Sequence, residues 1–290
     1  MPLHPSHFSL TPYTSVQTST IEHRGCRLTY DVDGSGPPVL FIQGTGVHGD
    51  AWCPQIDVLR DQYTCLSFDN RGMARSQPRG APITVPQMAE DALVLMDAVD
   101  WKMAHVVGHS LGGAVALALA LQAPERVQSL TLLCTFSRGR DAMRMSPSVL
   151  WTALRTRVGT KRQRRNAFLE MVMAPNELVG KDLDRMAADL APVFGHDLAN
   201  QPAVAMAQLR ALGAFNATPR LGELKTVPTL VVSAEFDRLS PPWVGKAIAA
   251  NIPGARYAEV PAAGHGVPLL HAPEINALLR EHFERNVSTG

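Results

Sequence analysis

The sequence predicts an α/β fold in which a mostly parallel, doubly wound sheet carries an inserted helical segment. Three observations support this fold class. Short runs of β-branched and apolar residues alternate with helical patterns over residues 39–133 and again over 227–283, which is typical of a parallel sheet covered on both faces. Between residues 137 and 224 no such run occurs, and apolar residues recur at helical spacing. A Gly-x-Ser-x-Gly pentapeptide at residues 108–112 stands between an apolar run and a helical pattern.

The first part of the predicted core begins with a hairpin that turns at Arg24-Gly25 and covers residues 20–32. Four strands follow, separated by helices near residues 50–60 and 85–99 and by a helix that begins at Ser110. The strands are predicted over residues 39–42, 64–68, 104–107 and 127–133. Because parallel crossovers are short and right-handed, we expect the carboxyl ends of these strands at one edge of the sheet.

The second part of the core covers residues 225–290 and completes a domain that starts with residues 20–136. It contains predicted strands over residues 227–232 and 256–260, with a helix near Pro241 between them and a C-terminal helix over 272–283. Residues 1–19 are polar and are predicted to form an N-terminal extension.

Residues 137–224 are predicted to form three or four helices that cap the carboxyl edge of the sheet. The predicted apolar surface of this segment consists of Met143, Met145, Leu150, Trp151, Phe168, Met171, Met173, Phe194 and Met206. Trp151, Phe168 and Met171 are predicted to contact the substrate, as are Gly44 and Val267 in the core. Methionine adapts to irregular apolar ligands, so the pocket is predicted to be hydrophobic. The basic run at residues 161–165 is interpreted as a solvated helix face rather than a site for an acidic partner.

Ser110 is the predicted nucleophile. A Gly-x-Ser-x-Gly turn between a strand and a helix holds its serine exposed in a strained conformation, and its glycines remove Cβ atoms that would clash. The helix that starts there points free backbone N–H groups at the oxygen of the attacked group. An ordinary Ser-Gly turn of a βα unit is the alternative interpretation.

A serine nucleophile needs a base and an acid, and the order Ser, acid, His is the order found in α/β-hydrolases. His265 is the one histidine of the ten that follows a strand in the expected order. Of the others, His109 is interpreted as pointing away from the nucleophile's groove and His282 as lying on the surface of the last helix. Asp237 follows the strand at 227–232 and is the predicted acid, with Glu235 as its rival.

These stretches resemble the α/β-hydrolase fold family, in its serine esterase, enol-lactonase and perhydrolase branch. The resemblance runs from about Thr20 to the end of the chain and rests on Gly44-Thr45-Gly46, Asp69-Asn70-Arg71-Gly72, the Ser110 motif, Asp237 and Gly264-His265. It implies an oxyanion hole built from the backbone N–H groups of Leu111 and Thr45. The chain departs from the family in having Gln43 where a histidine is common. Asp69 and Arg71 are predicted to brace loops.

The resemblance implies a hydrolase that cleaves a carboxylic ester of a small or medium, largely apolar molecule through an acyl-enzyme on Ser110. A lactone hydrolase of the enol-lactone type is the alternative. A carbon–carbon bond hydrolase is a weaker alternative, because such enzymes tend to carry Asn where this chain has His109. A ligand receptor on the same scaffold is a further alternative, disfavoured because all three triad residues are present.

Composition favours an ordinary soluble enzyme. The formal net charge of +1 gives no electrostatic reason to expect a nucleic acid partner. No stretch approaches the roughly 20 apolar residues of a membrane span, so no membrane association is predicted. Four cysteines, Cys26, Cys53, Cys65 and Cys134, lack a paired motif and are interpreted as reduced and buried, which favours a cytoplasmic location. No cofactor or metal is predicted, and the oligomeric state is left open.

Overall fold

The computed structural model describes residues 16–80, 82–142 and 146–286. Most of the predicted N-terminal extension, and Met143 and Met145 of the predicted apolar surface, lie outside the described residues.

Eight strands of the described residues form one sheet in the order β1-β2-β4-β3-β5-β6-β7-β8. Their bounds are β1 Gln17–His23, β2 Cys26–Gly34, β3 Pro38–Ile42, β4 Thr64–Phe68, β5 Ala104–His109, β6 Val127–Leu133, β7 Thr229–Ala234 and β8 Arg256–Val260. The pairs β1–β2 and β2–β4 are antiparallel, and all the other neighbours are parallel. The mostly parallel sheet predicted from the sequence is therefore confirmed.

Helices connect the strands. Their bounds are α1 Cys53–Leu59, α2 Val85–Ala98, α3 Leu111–Gln122, α4 Gly139–Ala142, α5 Pro147–Arg155, α6 Lys161–Val172, α7 Pro175–Leu178, α8 Leu183–Phe194, α9 Ala205–Ala214, α10 Pro242–Asn251, α11 Val267–Leu270 and α12 Ala272–Glu284. Short 3₁₀ segments occur at Gly49–Trp52, Pro124–Arg126 and Thr218–Thr226. None of the helices in the described ranges is long and apolar enough to cross a membrane.

Strand β3 shows how the sheet is buried on both faces. Leu40 and Ile42 point into a core cluster that includes apolar residues of α2, α3 and α10. Val39 and Phe41 point into a second cluster on the other face, which includes residues of α1 and α12. All four side chains are completely buried, as expected for a central strand of a doubly wound sheet.

The strands over residues 64–68, 127–133 and 256–260 have the predicted bounds. Strand β7 begins two residues later than predicted, at Thr229, because Pro228 has no N–H group to donate to the sheet. Strand β1 begins at Gln17, so residues 17–19 belong to the sheet.

Between β6 and β7 lies an insert, defined here as residues 137–224, of which 137–142 and 146–224 are described. Its described residues contain six helices, α4 to α9, where three or four were expected. The excess comes from α4 and α7, which have four residues each and are too short for a periodic pattern to reveal. The two ends of the insert are tied together, since Ala217 N–H donates to the carbonyl oxygen of Ser137 at 2.7 Å.

His282 is buried and not on the surface of α12 as predicted. Helix α12 buries Ile275, Leu279, His282 and Phe283, which follow one helical face at i, i+4, i+7 and i+8. Burial lowers the pKa of His282 to about 4. Of the cysteines, Cys26, Cys65 and Cys134 are buried and free as expected, whereas Cys53 is only half-buried at the start of α1.

Candidate active site

Ser110 occupies the turn between β5 and α3 and has φ 54° and ψ −119°, a conformation that L-residues rarely adopt. Its backbone N–H donates to Leu133 O at the end of the neighbouring strand β6, at 2.9 Å. The turn packs closely on the end of β3, because a Cβ atom on Gly112 would lie 2.0 Å from the carbonyl oxygen of Ile42. These contacts hold the Ser110 side chain half-buried at the carboxyl edge of the sheet.

Asp237 and His265 form a hydrogen-bonded pair at the same edge. The Nδ1 of His265 is 2.7 Å from the Oδ2 of Asp237, and both side chains are buried. The other carboxylate oxygen, Oδ1, accepts the N–H groups of Leu239 and Ser240, each at 2.8 Å. Because both oxygens have donors, the carboxylate is held in one orientation toward the imidazole.

Glu235, the rival acid, does not reach His265. Its side chain is exposed, and its Oε2 accepts the backbone N–H of Ala262 at 2.8 Å. Strand β7 ends at Ala234, so both carboxylates lie beyond the strand, and they bond to different partners. The structure therefore brings Asp237, and not Glu235, to the imidazole.

Backbone hydrogen bonds connect the strand ends that carry these residues. Ser110 N–H bonds to Leu133 O, and Cys134 N–H bonds to Val232 O in the next strand at 2.9 Å. Beyond it, Glu235 N–H bonds to Val260 O at 3.0 Å. The loops after β5, β6, β7 and β8 are thus aligned side by side. Within the described residues no hydrogen bond joins the Ser110 hydroxyl to His265; such bonds are often long without substrate and tighten when it binds.

The two predicted oxyanion donors belong to chain segments that adjoin Ser110. A Cβ atom on Gly44 would be 3.2 Å from the Ser110 Cβ, which places the Gln43–Gly46 loop against the nucleophile. Leu111 is the first residue of α3, and its N–H has no hydrogen-bond partner among the described residues. The Thr45 N–H likewise has no hydrogen-bond partner within residues 16–80, 82–142 and 146–286. Both N–H groups are therefore available to donate hydrogen bonds to an oxyanion.

His109 is a site residue that sequence reasoning missed. It was expected to point away from the groove, but its ring lies against the His265 ring with the centroids 4.9 Å apart. Its Nε2 is 2.9 Å from the carbonyl oxygen of His265. Burial and the nearby His265 lower the pKa of His109 to about 3. The signal in the sequence was its position, since His109 ends β5 directly before the nucleophile, at the sheet edge where the loop of His265 also lies.

Cys134 lies next to the Asp237–His265 pair. One ligand atom from each of these three residues lies within 4.8 Å of the others. Two ligands of a tetrahedral zinc ion are about 3.3 Å apart, whereas the Nδ1 and Oδ2 atoms are at a hydrogen-bond distance of 2.7 Å. Burial and the Asp237 carboxylate raise the pKa of the Cys134 thiol well above its usual value, so the thiol stays protonated. The cluster is therefore arranged as a hydrogen-bonded pair beside a thiol rather than as a metal centre.

The insert packs directly on the His265 loop. Gly266 N–H donates to Val172 O at 2.8 Å, and Asn176 Nδ2 donates to Ala262 O at 2.9 Å. A Cβ atom on Gly264 would lie 2.4 Å from the backbone nitrogen of Ala174, so only glycine allows this approach. The loop that carries the imidazole is thus held between β8 and the end of α6.

The predicted substrate contacts are scattered around this edge. Gly44 lies against Ser110, and Phe168 and Met171 belong to an apolar cluster between the insert and the core loops. Val267 is fully buried in the core cluster beside α12. Trp151 lies on α5 with 62% of its surface exposed, and none of its described contacts reaches Ser110. All five assignments remain predictions.

Asp69 and Arg71 brace loops, as the sequence suggested. Asp69 is completely buried and accepts the N–H of Gly49 and the guanidinium of Arg75. Arg71 is also buried and forms a two-bond pair with Asp91 at 2.6 and 2.9 Å. Neither pair touches Ser110 or His265.

The sequence model described as the alpha/beta hydrolase fold matches residues 37–272. The RutD protein of Azorhizobium caulinodans, by name a carbamate hydrolase, is 29% identical over 252 residues, or 87% of this chain and 93% of its own length. The crystal structure of the enol-lactonase from Burkholderia xenovorans LB400 is similar with a TM-score of 0.77 and 25% identity, over 92% of this chain and all of that chain.

A third similar structure is Est816, described as an N-acyl homoserine lactone degrading enzyme. It has a TM-score of 0.74 and 25% identity, over 91% of this chain and 99% of that chain. These three relatives are named for carbamate hydrolysis or lactone cleavage. The family model covers the strands and loops that carry Ser110, Asp237 and His265. The chain is a hydrolase that belongs to the alpha/beta hydrolase fold family.

Proposed function

We propose that this hydrolase cleaves a carboxylic ester through an acyl-enzyme on Ser110, with His265 as the general base and Asp237 as its orienting acid. One observation carries the proposal. A serine in a strained turn between strand and helix lies at the same sheet edge as a buried Asp–His pair with a 2.7 Å hydrogen bond. Serine hydroxyls become nucleophilic when such a base accepts their proton.

In the proposed reaction, the Ser110 Oγ attacks the carbonyl carbon and its proton passes to the Nε2 of His265. The oxyanion that forms accepts the N–H groups of Thr45 and Leu111. His265 then returns the proton to the leaving alcohol as the carbon–oxygen bond breaks. Water, deprotonated by the same imidazole, then attacks the acyl carbon. The imidazolium returns that proton to the Ser110 Oγ as the acyl C–O bond breaks, which releases the acid and the free serine. Asp237 stabilises the imidazolium that exists between these steps.

The insert is proposed to act as a cap that gives the substrate an apolar environment. Phe168, Val172 and Met173 of the insert pack with Val47 and Leu239 of the core loops. Val47 follows β3 and Leu239 follows β7, so this apolar cluster lies above the carboxyl edge of the sheet. Such a surface favours a small or medium, largely apolar substrate over a charged one.

A lactone is the second candidate substrate, since two of the similar structures are named for lactone cleavage. Ester and lactone differ in whether the leaving alcohol remains attached, and the same residues serve both. The test is a panel of esters, lactones and thioesters of matched acyl length, assayed by kcat/KM. The proposal expects the highest kcat/KM on an uncharged ester. Lactones at least tenfold better than every ester would favour the second candidate, and no turnover in the panel would contradict both.

A further inference from the structure

The loop that carries Thr45 is held on both sides of the proposed oxyanion donor. Gly44 N–H donates to the Oε1 of Gln43 at 2.8 Å. Gly46 N–H donates to the Oε1 of Gln208 at 2.9 Å, and the Nε2 of His196 is 3.0 Å from Gly46 O. The Gly44 N–H belongs to the peptide plane before the one that carries the Thr45 N–H, and the Gly46 N–H belongs to the plane after it. Because each peptide group is planar, anchoring these two planes limits how far the plane between them can turn.

Two of these three anchors come from the insert. Gln208 lies on α9 and is completely buried, and His196 follows the end of α8. Gly46 also faces the start of α9, since a Cβ atom built on it would lie 3.6 Å from the Ala205 Cβ. The His196 Nε2 donates to the carbonyl oxygen in the tautomer that carries its proton there.

Of the two polar atoms of the Gln208 amide, the oxygen is the one that forms a hydrogen bond. The Gly46 N–H requires an oxygen, which assigns Oε1 to the loop side. The Nε2 group is then buried without a hydrogen-bond partner among residues 16–80, 82–142 and 146–286. An unpaired buried amide nitrogen is costly, and leucine or methionine would fill the space without that cost. A role limited to packing therefore does not explain a glutamine at this position.

We propose that Gln208 and His196 are positioning residues that orient the Thr45 N–H toward the oxyanion, so that the insert takes part in assembling the oxyanion hole. This inference rests on the proposed function. An N–H donor acts mainly on the transition state, where the charge develops on the carbonyl oxygen. Loosening the loop should therefore lower kcat and leave KM nearly unchanged.

The test compares Gln208→Leu and His196→Phe with the wild type. Four quantities are measured for each protein: kcat and KM on one ester, the affinity for a trifluoromethyl ketone, and the melting temperature. The ketone forms a tetrahedral adduct with the serine and so reports on the oxyanion hole. Gln163→Leu is the matched control, because Gln163 Oε1 also accepts one backbone N–H in the insert, that of Thr160 at 2.9 Å, away from the site.

We expect Gln208→Leu to lower kcat by about 10- to 100-fold, below the 10²- to 10³-fold typical of losing an oxyanion donor entirely. The ketone affinity should fall in parallel and KM should change less than about threefold. His196→Phe should show the same pattern with a smaller loss. The double variant should lose less than the product of the single effects, because both side chains hold the same residue.

Values of kcat and ketone affinity within twofold of the Gln163→Leu control would overturn the inference. If Gln208→Leu does not fold, His196→Phe decides by the same criterion. If the wild type shows no ester turnover, or if its turnover does not depend on Ser110, the proposed function is contradicted and this inference falls with it. An active wild type with unaffected variants contradicts the inference alone.

Discussion

His109 and His265 lie ring against ring at the edge of the sheet, and the Nε2 of His109 is 2.9 Å from the carbonyl oxygen of His265. The pKa of His109 is lowered to about 3 by burial and by the neighbouring imidazole. His109 therefore stays neutral while His265 takes up a proton in the proposed reaction. A neutral ring beside the base avoids the repulsion that two imidazolium ions would suffer, and it holds the loop through its N–H group.

His109→Phe keeps an aromatic ring beside His265 and removes the donor to its carbonyl group. We expect kcat to fall about tenfold with little change in KM, since the base is less well placed for proton transfer. His105→Phe is the control: His105 is also buried and bonds to Ser129 Oγ at 2.8 Å, but stacks on Phe283 away from the site. Equal kcat values for the two variants would contradict a role for His109.

Asp237→Asn should lower kcat by about four orders of magnitude, because the amide NH₂ would face the Nδ1 of His265 and impose the wrong tautomer. Glu235→Gln should cost less than tenfold, since Glu235 is exposed and bonds only to the Ala262 N–H in the described contacts. Steady-state kinetics on one ester would rank the two variants. The reverse ranking would make Glu235 the acid.

Gly264→Ala should disturb the His265 loop, because the new Cβ would meet the backbone of Ala174 and Met173 at 2.4–2.8 Å. We expect a loss of about 1–3 kcal/mol in the free energy of unfolding together with a fall in kcat. Gly222→Ala is the control, since nothing lies within 4 Å of a Cβ there. Denaturant unfolding and kinetics measure both effects. A Gly264→Ala protein as stable and active as the control would show that the insert does not confine this loop.

Much of the fold could be predicted from the sequence because buried parallel strands leave a strong local signal. Strands β4, β6 and β8 have the expected bounds, and the pentapeptide around Ser110 identifies the turn after β5. The helices of the insert were harder to predict, since α4 and α7 have only four residues each and show no periodicity.

The site was predictable only in part. Asp237 and His265 follow strands, and parallel strands bring such residues to one edge. The contacts of His109 with His265 and of Gln208 with Gly46 join residues 156 and 162 positions apart. Contacts of that kind depend on how the insert and the loops pack, which no local pattern encodes.

The stability of the protein should fall in acid because His105 and His282, outside the site, are buried as neutral rings, as His109 is within it. Burial lowers the pKa of His105 and of His282 to about 4, against about 6.5 in the unfolded chain. Between pH 4 and pH 6.5 the unfolded state binds more protons than the folded state. The stability that depends on keeping the His105 and His282 rings neutral is therefore complete above pH 6.5 and is lost as the pH falls toward 4. Each group adds at most about 1.4 kcal/mol per pH unit.

Urea unfolding at pH 7, 6 and 5 tests this dependence, with His105→Gln as the comparison. We expect the free energy of unfolding of the variant to fall by about 1–2 kcal/mol less than that of the wild type over this range. Parallel curves for the two proteins would show that His105 is not held neutral by the fold.

The central claim is that Ser110 is the nucleophile, and covalent labelling tests it most directly. The wild type and Ser110→Ala are treated with a fluorophosphonate, digested and analysed by mass spectrometry, with ester turnover measured on the same samples. The account predicts one phosphonyl group on the peptide that contains Ser110, no label in the variant and a fall in turnover of at least about 10⁴-fold. A label on another residue, or more than about 1% of the turnover in Ser110→Ala, would contradict it.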